Sequence, residues 1–271
     1  MPRSINGFGT SYHGNGASIH WEKPAPFALG DHDAIECSIA LGFPVFPGDA
    51  CHTFLWSHRE CRVIRIRRSA PLILHALLRP YVLVATWLAM GFLILMAVAI
   101  PVLHFSGVGT GKMNADAWKV FAIPAAVALG GMGLLSLLNT PFRRARDIRL
   151  VTGPHEAGSS DPATWLEPPS EDFARPFDGD SARRALQEGQ FSKAMYAARI
   201  LAARGDDRGE ALTDEILADP RVLDRLPALR RRPWLRQELF PEDRGLRIPL
   251  ENRGSYATWG GISSTNAGYH G

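Results

Sequence analysis

Two stretches of this chain carry no charge, and they set the expected architecture. From Tyr81 to Phe105 the sequence YVLVATWLAMGFLILMAVAIPVLHF holds no Asp, Glu, Lys or Arg. It exceeds the roughly 20 residues that a helix needs to cross hydrocarbon. A second uncharged run, Val120 to Leu138, is just long enough. Its Pro124 and three glycines weaken a helix in water but are tolerated in lipid, where a neighbouring helix covers the freed backbone groups. Core helices of a soluble protein ordinarily keep a polar edge, and neither run has one. The pattern predicts an integral membrane protein with a two-helix transmembrane hairpin over residues 80–140, its spans at 81–105 and 120–138.

The short loop between the spans makes them antiparallel neighbours. Small residues let helix backbones approach in lipid. Ala85 and Ala89 on the first span, and Ala122, Ala126 and Gly130 on the second, form the expected packing stripe. The same stripe would equally serve a homo-oligomer.

Outside the hairpin the pattern changes on each side. Residues 1–70 contain short apolar runs bounded by Gly and Pro, at Ser18–Trp21, Ala34–Leu41, Thr53–Trp56 and Arg62–Ile66. They predict a small β-rich unit of four or five strands. So small a unit buries little by itself, so it should rest on the membrane surface or on the other polar region. Residues 150–180, rich in Pro, Ser, Gly and acids, read as a flexible linker. Helical periodicity resumes at Ser181 and predicts an α-helical domain over 181–240, with a turn at Gly189-Gln190 and a third helix at Gly209–Leu217. The basic stretch Arg221–Phe240 suits either an anionic membrane surface or a packed helix face with solvated arginines. Residues 241–271 read as a flexible tail.

Charge adds an orientation. The formal charge of +3 and the pI near 8.9 come from clustered arginines, which gives no general nucleic-acid footprint. Arg65, Arg67 and Arg68 precede the first span, and Arg143, Arg144 and Arg146 follow the second; the loop offers Lys112 and Lys119 with Asp116. The positive-inside rule then puts both termini in the cytoplasm, with these arginines at the lipid surface. No apolar run follows the first residues, so no cleaved secretory signal is expected.

Candidate chemistry gathers before the hairpin. Three cysteines are too few for a secreted disulfide scaffold and fit a reducing compartment. Cys37, Cys51, His52, His58 and Cys61 include the thiolate and imidazole ligands that zinc prefers, and a structural zinc site would stabilise a unit with little core. The spacing contains no Cys-x-x-Cys knuckle, and the same cysteines also read as small buried apolar residues. Adjacent residues on a strand point to opposite faces, so Cys51 and His52 form no nucleophile and base pair there. No phosphate-binding Gly loop, Walker lysine, HExxH or serine elbow occurs.

The element Ile5-Asn6-Gly7-Phe8-Gly9-Thr10, followed by Gly42-Phe43-Pro44-Val45-Phe46-Pro47, resembles the opening of a group of uncharacterised bacterial two-span membrane proteins. Those proteins begin with an Asn-Gly-x-Gly-Thr element and close a strand with a Pro-x-x-Pro turn. The likeness covers the first quarter of the chain and implies a bacterial inner-membrane location without implying an activity. Gly189-Gln190-Phe191-Ser192-Lys193-Ala194 is similar to one turn of a tetratricopeptide repeat, in a single copy. The function these features imply is a non-enzymatic, membrane-anchored interaction or scaffold protein. Its partners would be the lipid bilayer and other proteins; a zinc-binding membrane protein is the alternative. Transport ranks last, because the spans carry almost no polar side chains.

Overall fold

The computed structural model describes residues 4–5, 7–25, 28–55, 61–105, 117–153, 161–243 and 256–257. Its amino-terminal part is an antiparallel meander of β1 (Ser4–Ile5), β2 (Phe8–Ala25), β3 (Ala28–Ala40), β4 (Phe43–Leu55) and β5 (Cys61–Arg65). A two-residue strand from the far end of the chain, β6 (Tyr256–Ala257), adds to β5. The strands outrun the apolar stretches of the sequence because their alternate positions face different surroundings. Ile35, Cys37, Ala50, Ile64 and Ile66 enter one core, while Ala34, Cys51 and Val63 form a separate cluster with Tyr12.

The first of these faces meets the root of α1 (Ala70–Phe105), a helix of 36 residues. Its opening turns are amphipathic: Leu72 and Ala76 are buried in the sheet's core, whereas Leu74 and Leu78 are exposed. Beyond Pro80 the polar edge disappears. α2 (Ala117–Asn139) returns antiparallel to α1, and His75 Nε2 meets Asn139 Oδ1 at 3.0 Å across the base. Both helices are long and apolar enough to cross a membrane. A tight turn over Thr140–Phe142 drops Phe142 into the core, and α3 (Arg143–Thr152) follows.

The hairpin seam differs from the predicted stripe. Thr86, Ala89, Ala128 and Leu138 are buried, and a Cβ on Gly131 would overlap the Thr86 hydroxyl. Of the predicted set only Ala89 lies in the seam; Ala85, Ala122, Ala126 and Gly130 face outward. The reason is geometric. At about 100° per residue, 122, 126 and 130 share one face of α2, and that face lies on the far side of the helix from the buried Ala128 and Leu138. The buried positions on α2 are spaced by threes and fours and stay on one side.

The carboxyl-terminal region is helical, with α4 (Glu171–Ala174), α5 (Gly179–Gln187), α6 (Phe191–Ala203), α7 (Asp207–Ala218), α8 (Pro220–Leu223), α9 (Leu226–Arg231) and α10 (Arg236–Leu239). α6 is apolar almost all round and accordingly buried. These helices enclose α3: Ile148, Leu150 and Val151 share a core with Met195, Leu229 and Phe240, and Ile19 of β2 joins the same core. Sheet, hairpin root and helical region thus form one body.

One expectation is corrected, and of two readings left open for the Arg221–Phe240 stretch the packed helix face is the one found. Among the described residues of 150–180, Leu150–Thr152 complete α3, Trp165 bridges to Ile66, and Asp161, Phe173 and Ala174 are buried. The Pro, Ser and Asp content that suggested a mobile linker serves short caps instead: Asp161, Ser170 and Asp178 each accept a backbone N–H at a helix start. The Arg221–Phe240 stretch packs its apolar side onto the body through Val222, Leu226, Leu229 and Phe240. Of the tail expected over 241–271, only Pro241–Asp243 and β6 lie within the described residues.

The seam makes a prediction. Gly131→Leu should lower the thermal stability of the detergent-purified chain by about 1–3 kcal/mol through overpacking, whereas Gly130→Leu, with open space around it, should leave the melting temperature unchanged.

Candidate functional site

The body's polar centre begins with a defect in β2. Register shifts on both sides of Gly16 and a left-handed Ala17 (φ 50°) turn the Ala17 carbonyl out of the ladder and into the interior. There it accepts a 2.6 Å hydrogen bond from Arg149 Nη1 of α3. Arg149 Nη2 donates to Asp33 Oδ1 of β3, and His52 Nδ1 of β4 lies 2.8 Å from the same oxygen. Asp31 Oδ2 stands 3.7 Å from His52 Nε2. All four side chains are buried.

Burial by itself pushes the Asp33 carboxyl up. The Arg149 guanidinium, together with the hydrogen bonds from His52 and Arg149, outweighs it and holds the group below the usual carboxylate range. On the opposite face, His32 shares hydrogen bonds with Thr53, and burial followed by repulsion from His52 pushes its imidazole down to about 4. The Cys37 thiol is raised to about 11 by burial and by Glu36, so it stays protonated.

Beside this centre, between β2, α3 and the stretch that follows α9, lies an open groove of about 360 Å³. Ser18, His20, Arg146, Arg230, Arg231 and Trp234 line it, and among the described residues its lining contains no carboxylate. Arg230 is neutralised from behind by Asp147, with contacts of 2.8 and 2.6 Å. Arg146 and Arg231 provide the remaining positive charge, and Arg146 Nε is buried without a hydrogen bond among the described residues. Guanidinium donors beside an indole suit a carboxylate or phosphate.

The residues singled out in the sequence are dispersed. Cys37 and His52 belong to the face that meets α1, while Cys51 lies on the other, its thiol 3.6 Å from the Ala34 carbonyl. His58 and the Cys61 side chain lie outside the described residues. Among the described residues no three His, Cys, Asp or Glu side chains gather as a metal site. Of the six arginines expected at the lipid surface, Arg65 and Arg68 face Asp49, Arg67 and Arg143 are exposed, Arg144 pairs with Glu210 and Asp214, and Arg146 lines the groove. Sequence reasoning missed the groove because Ser18 and His20 stand more than 120 positions from their neighbours in it. It also missed Arg149 as an internal ion.

No family model, curated protein or solved structure matches this chain.

Two outcomes follow for the polar centre. Asp33→Asn should destabilise the chain by about 3–5 kcal/mol, because it leaves a buried guanidinium without its counter-charge, and the Asp33→Asn/Arg149→Met double variant should recover part of that loss in denaturant melts. The acid side separates by sign. Folding lowers the His32 pKa from 6.5 to about 4, so its contribution is complete above pH 6.5 and is lost as the pH falls towards 4. Asp33 acts lower: its contribution is present above about 3.9, the unfolded carboxylate value, and disappears as the pH falls through its depressed folded pKa. His32→Gln should therefore flatten the decline of melting temperature between pH 6.5 and 4.

Proposed function

We propose that this chain is a non-enzymatic, membrane-anchored interaction protein whose body lies at the cytoplasmic face and receives an acidic segment of a partner protein in the Arg146–Arg231–Trp234 groove. The observation that carries the reading is the rooting of the hairpin. α1 starts in the sheet's core at Leu72 and Ala76, and α2 runs through Phe142 directly into buried α3. A hairpin inserted in a bilayer would therefore fix the height and facing of the body. Arg146 stands only seven residues beyond the end of α2, so the groove would sit close above the lipid. Arginines on both flanks of the hairpin orient it with the body inside.

The test has two parts. Alkaline phosphatase fused into the loop at Gly111 should be active and the same enzyme fused at Gly271 inactive; activity at Gly271 would invert the topology. A photo-crosslinking amino acid introduced at Arg231 in cells should form protein adducts that Arg146→Glu removes. Adducts to lipid alone, or none, would overturn the binding role.

A further inference from the structure

The end of the sheet that lies nearest the membrane helices has an unusual surface. The turn between β3 and β4 exposes Leu41, the start of β4 exposes Val45 and Phe46, and the start of β2 beside them exposes Phe8. Leu41 is 74% and Phe46 69% accessible. The two turns are clasped together, the Gly42 N–H donating to the Gly7 carbonyl at 2.9 Å. No Asp, Glu, Lys or Arg occurs in residues 4–12 or 37–48. A double tip of large apolar side chains on two uncharged stretches of the chain is costly in water.

Its position accounts for it. Tyr81 of α1 donates its hydroxyl to the Pro44 carbonyl at 2.9 Å, and its ring stacks on Phe43 with centroids 5.1 Å apart. Tyr81 opens the uncharged run of α1 and is already within the apolar belt. Leu78 of α1 and Leu137 of α2 are exposed on its body side, at a height fixed by the His75–Asn139 contact. Along that side of the molecule β3 and α1 run in the same sense: Leu72 packs at Gly16, opposite Asp33, and Tyr81 packs at Phe43 and Pro44. The tip therefore extends to the depth at which the first span begins. Val84 and Trp87, further along α1 from Tyr81, are exposed as well.

Backbone strain supplies an independent observation. Leu41 has φ 52°, a left-handed conformation that favours Gly or Asn at such a turn. A leucine kept at a strained, solvent-facing position implies a role for the side chain itself.

From this geometry we infer that the tip formed by Phe8, Leu41, Val45 and Phe46 is a second membrane anchor, inserted into the interfacial lipid of the bilayer that α1 and α2 span. The inference rests on the membrane reading of the hairpin. Aromatic and aliphatic side chains on an uncharged turn enter the headgroup and upper acyl region to about 5–10 Å. With the tip seated, the sheet is held at both ends, by the root of α1 and by the lipid, and the body cannot rock about the hairpin.

The experiment places a fluorescent amino acid at Phe46, Leu95 or Leu223 of the full-length chain in phosphatidylcholine/phosphatidylglycerol nanodiscs, with quenching by lipids spin-labelled at shallow or deep acyl positions. The Phe46 probe should be quenched by the shallow label, at least about two-fold above the deep one as expected for an interfacial site; Leu95 should favour the deep label and Leu223 should respond to neither. Leu41→Asn, which suits the turn, should retain or raise thermal stability while reducing quenching at Phe46. An unquenched Phe46 probe beside a quenched Leu95 probe would overturn the tip anchor and leave the hairpin reading intact; it would assign the tip to another copy of the chain or a partner protein. Loss of quenching at Leu95 as well would overturn the hairpin reading itself.

Discussion

The ion pair of Arg149 with Asp33 is the contact on which the arrangement of the body depends. It joins α3 to the middle of the sheet across 116 positions of sequence, with both side chains buried. Taking two such charges out of water is expensive, and the attraction between them often does no more than offset that cost. The pair gains more from its surroundings. His52 adds a contact at Asp33, and the bulged Ala17 carbonyl accepts a second guanidinium N–H. These donors and acceptors meet in one register of α3 against β2 and β3, and a shift of one residue would leave each of them buried and unmatched. The pair selects the docking of the helix more than it stabilises the fold.

α3 is pinned on its other sides by the same kind of chemistry. Asp147 takes a two-pronged contact from Arg230, and Arg236 donates to the carbonyls of Leu150, Val151 and Thr152. The latter are end-of-helix carbonyls without partners inside the helix, at the negative end of its dipole, and a buried guanidinium is a suitable cap for them. Gly153 is needed at that point: φ is 72°, and a Cβ would overlap the Arg236 guanidinium. Arg199, fastened to Asp161 and Glu210, repeats the device one layer out and brings the 161–165 segment onto α6.

The hairpin, the antiparallel sheet and the helical carboxyl-terminal region were legible because each leaves a local periodicity. The body that unites them was not. α3 reads as RRARDIRLVT, a basic flank after an apolar run, and charge counting assigns it to the lipid surface. In the structure its arginines divide: Arg143 is exposed, Arg144 meets acids of α7, and Arg149 is wholly interior. Sequence shows a charge but not its counter-charge when the partner lies a hundred residues away. The Cys and His candidates are placed only in part, since His58 and the Cys61 side chain lie outside the described residues. Cys51 and His52 are close in sequence, but the strand's two-residue alternation separates them onto opposite faces, and burial keeps Cys37 a protonated thiol. The hairpin stripe failed because residue size marks a face that could pack but not the side of the helix the partner occupies, and Ala122, Ala126 and Gly130 share the outward face of α2.

The rooted hairpin bears on function through mechanics. A membrane protein joined to its soluble part by a flexible linker samples many orientations, and a groove on that part meets its partner at an effective concentration diluted by that freedom. Here the segment expected to be such a linker is folded into the core through Trp165, Phe173 and Ala174, and α1 passes without interruption from the core of the sheet into the apolar hairpin. Under the membrane reading the only freedom left is tilt of the whole unit about the bilayer plane. That tilt is opposed on the sheet's side by the uncharged tip beside Tyr81. A groove held in this way can act only on a partner presented near the membrane surface, and this geometric restriction would give the protein its selectivity even if the chemistry of the groove, a few guanidinium groups and an indole, is unselective.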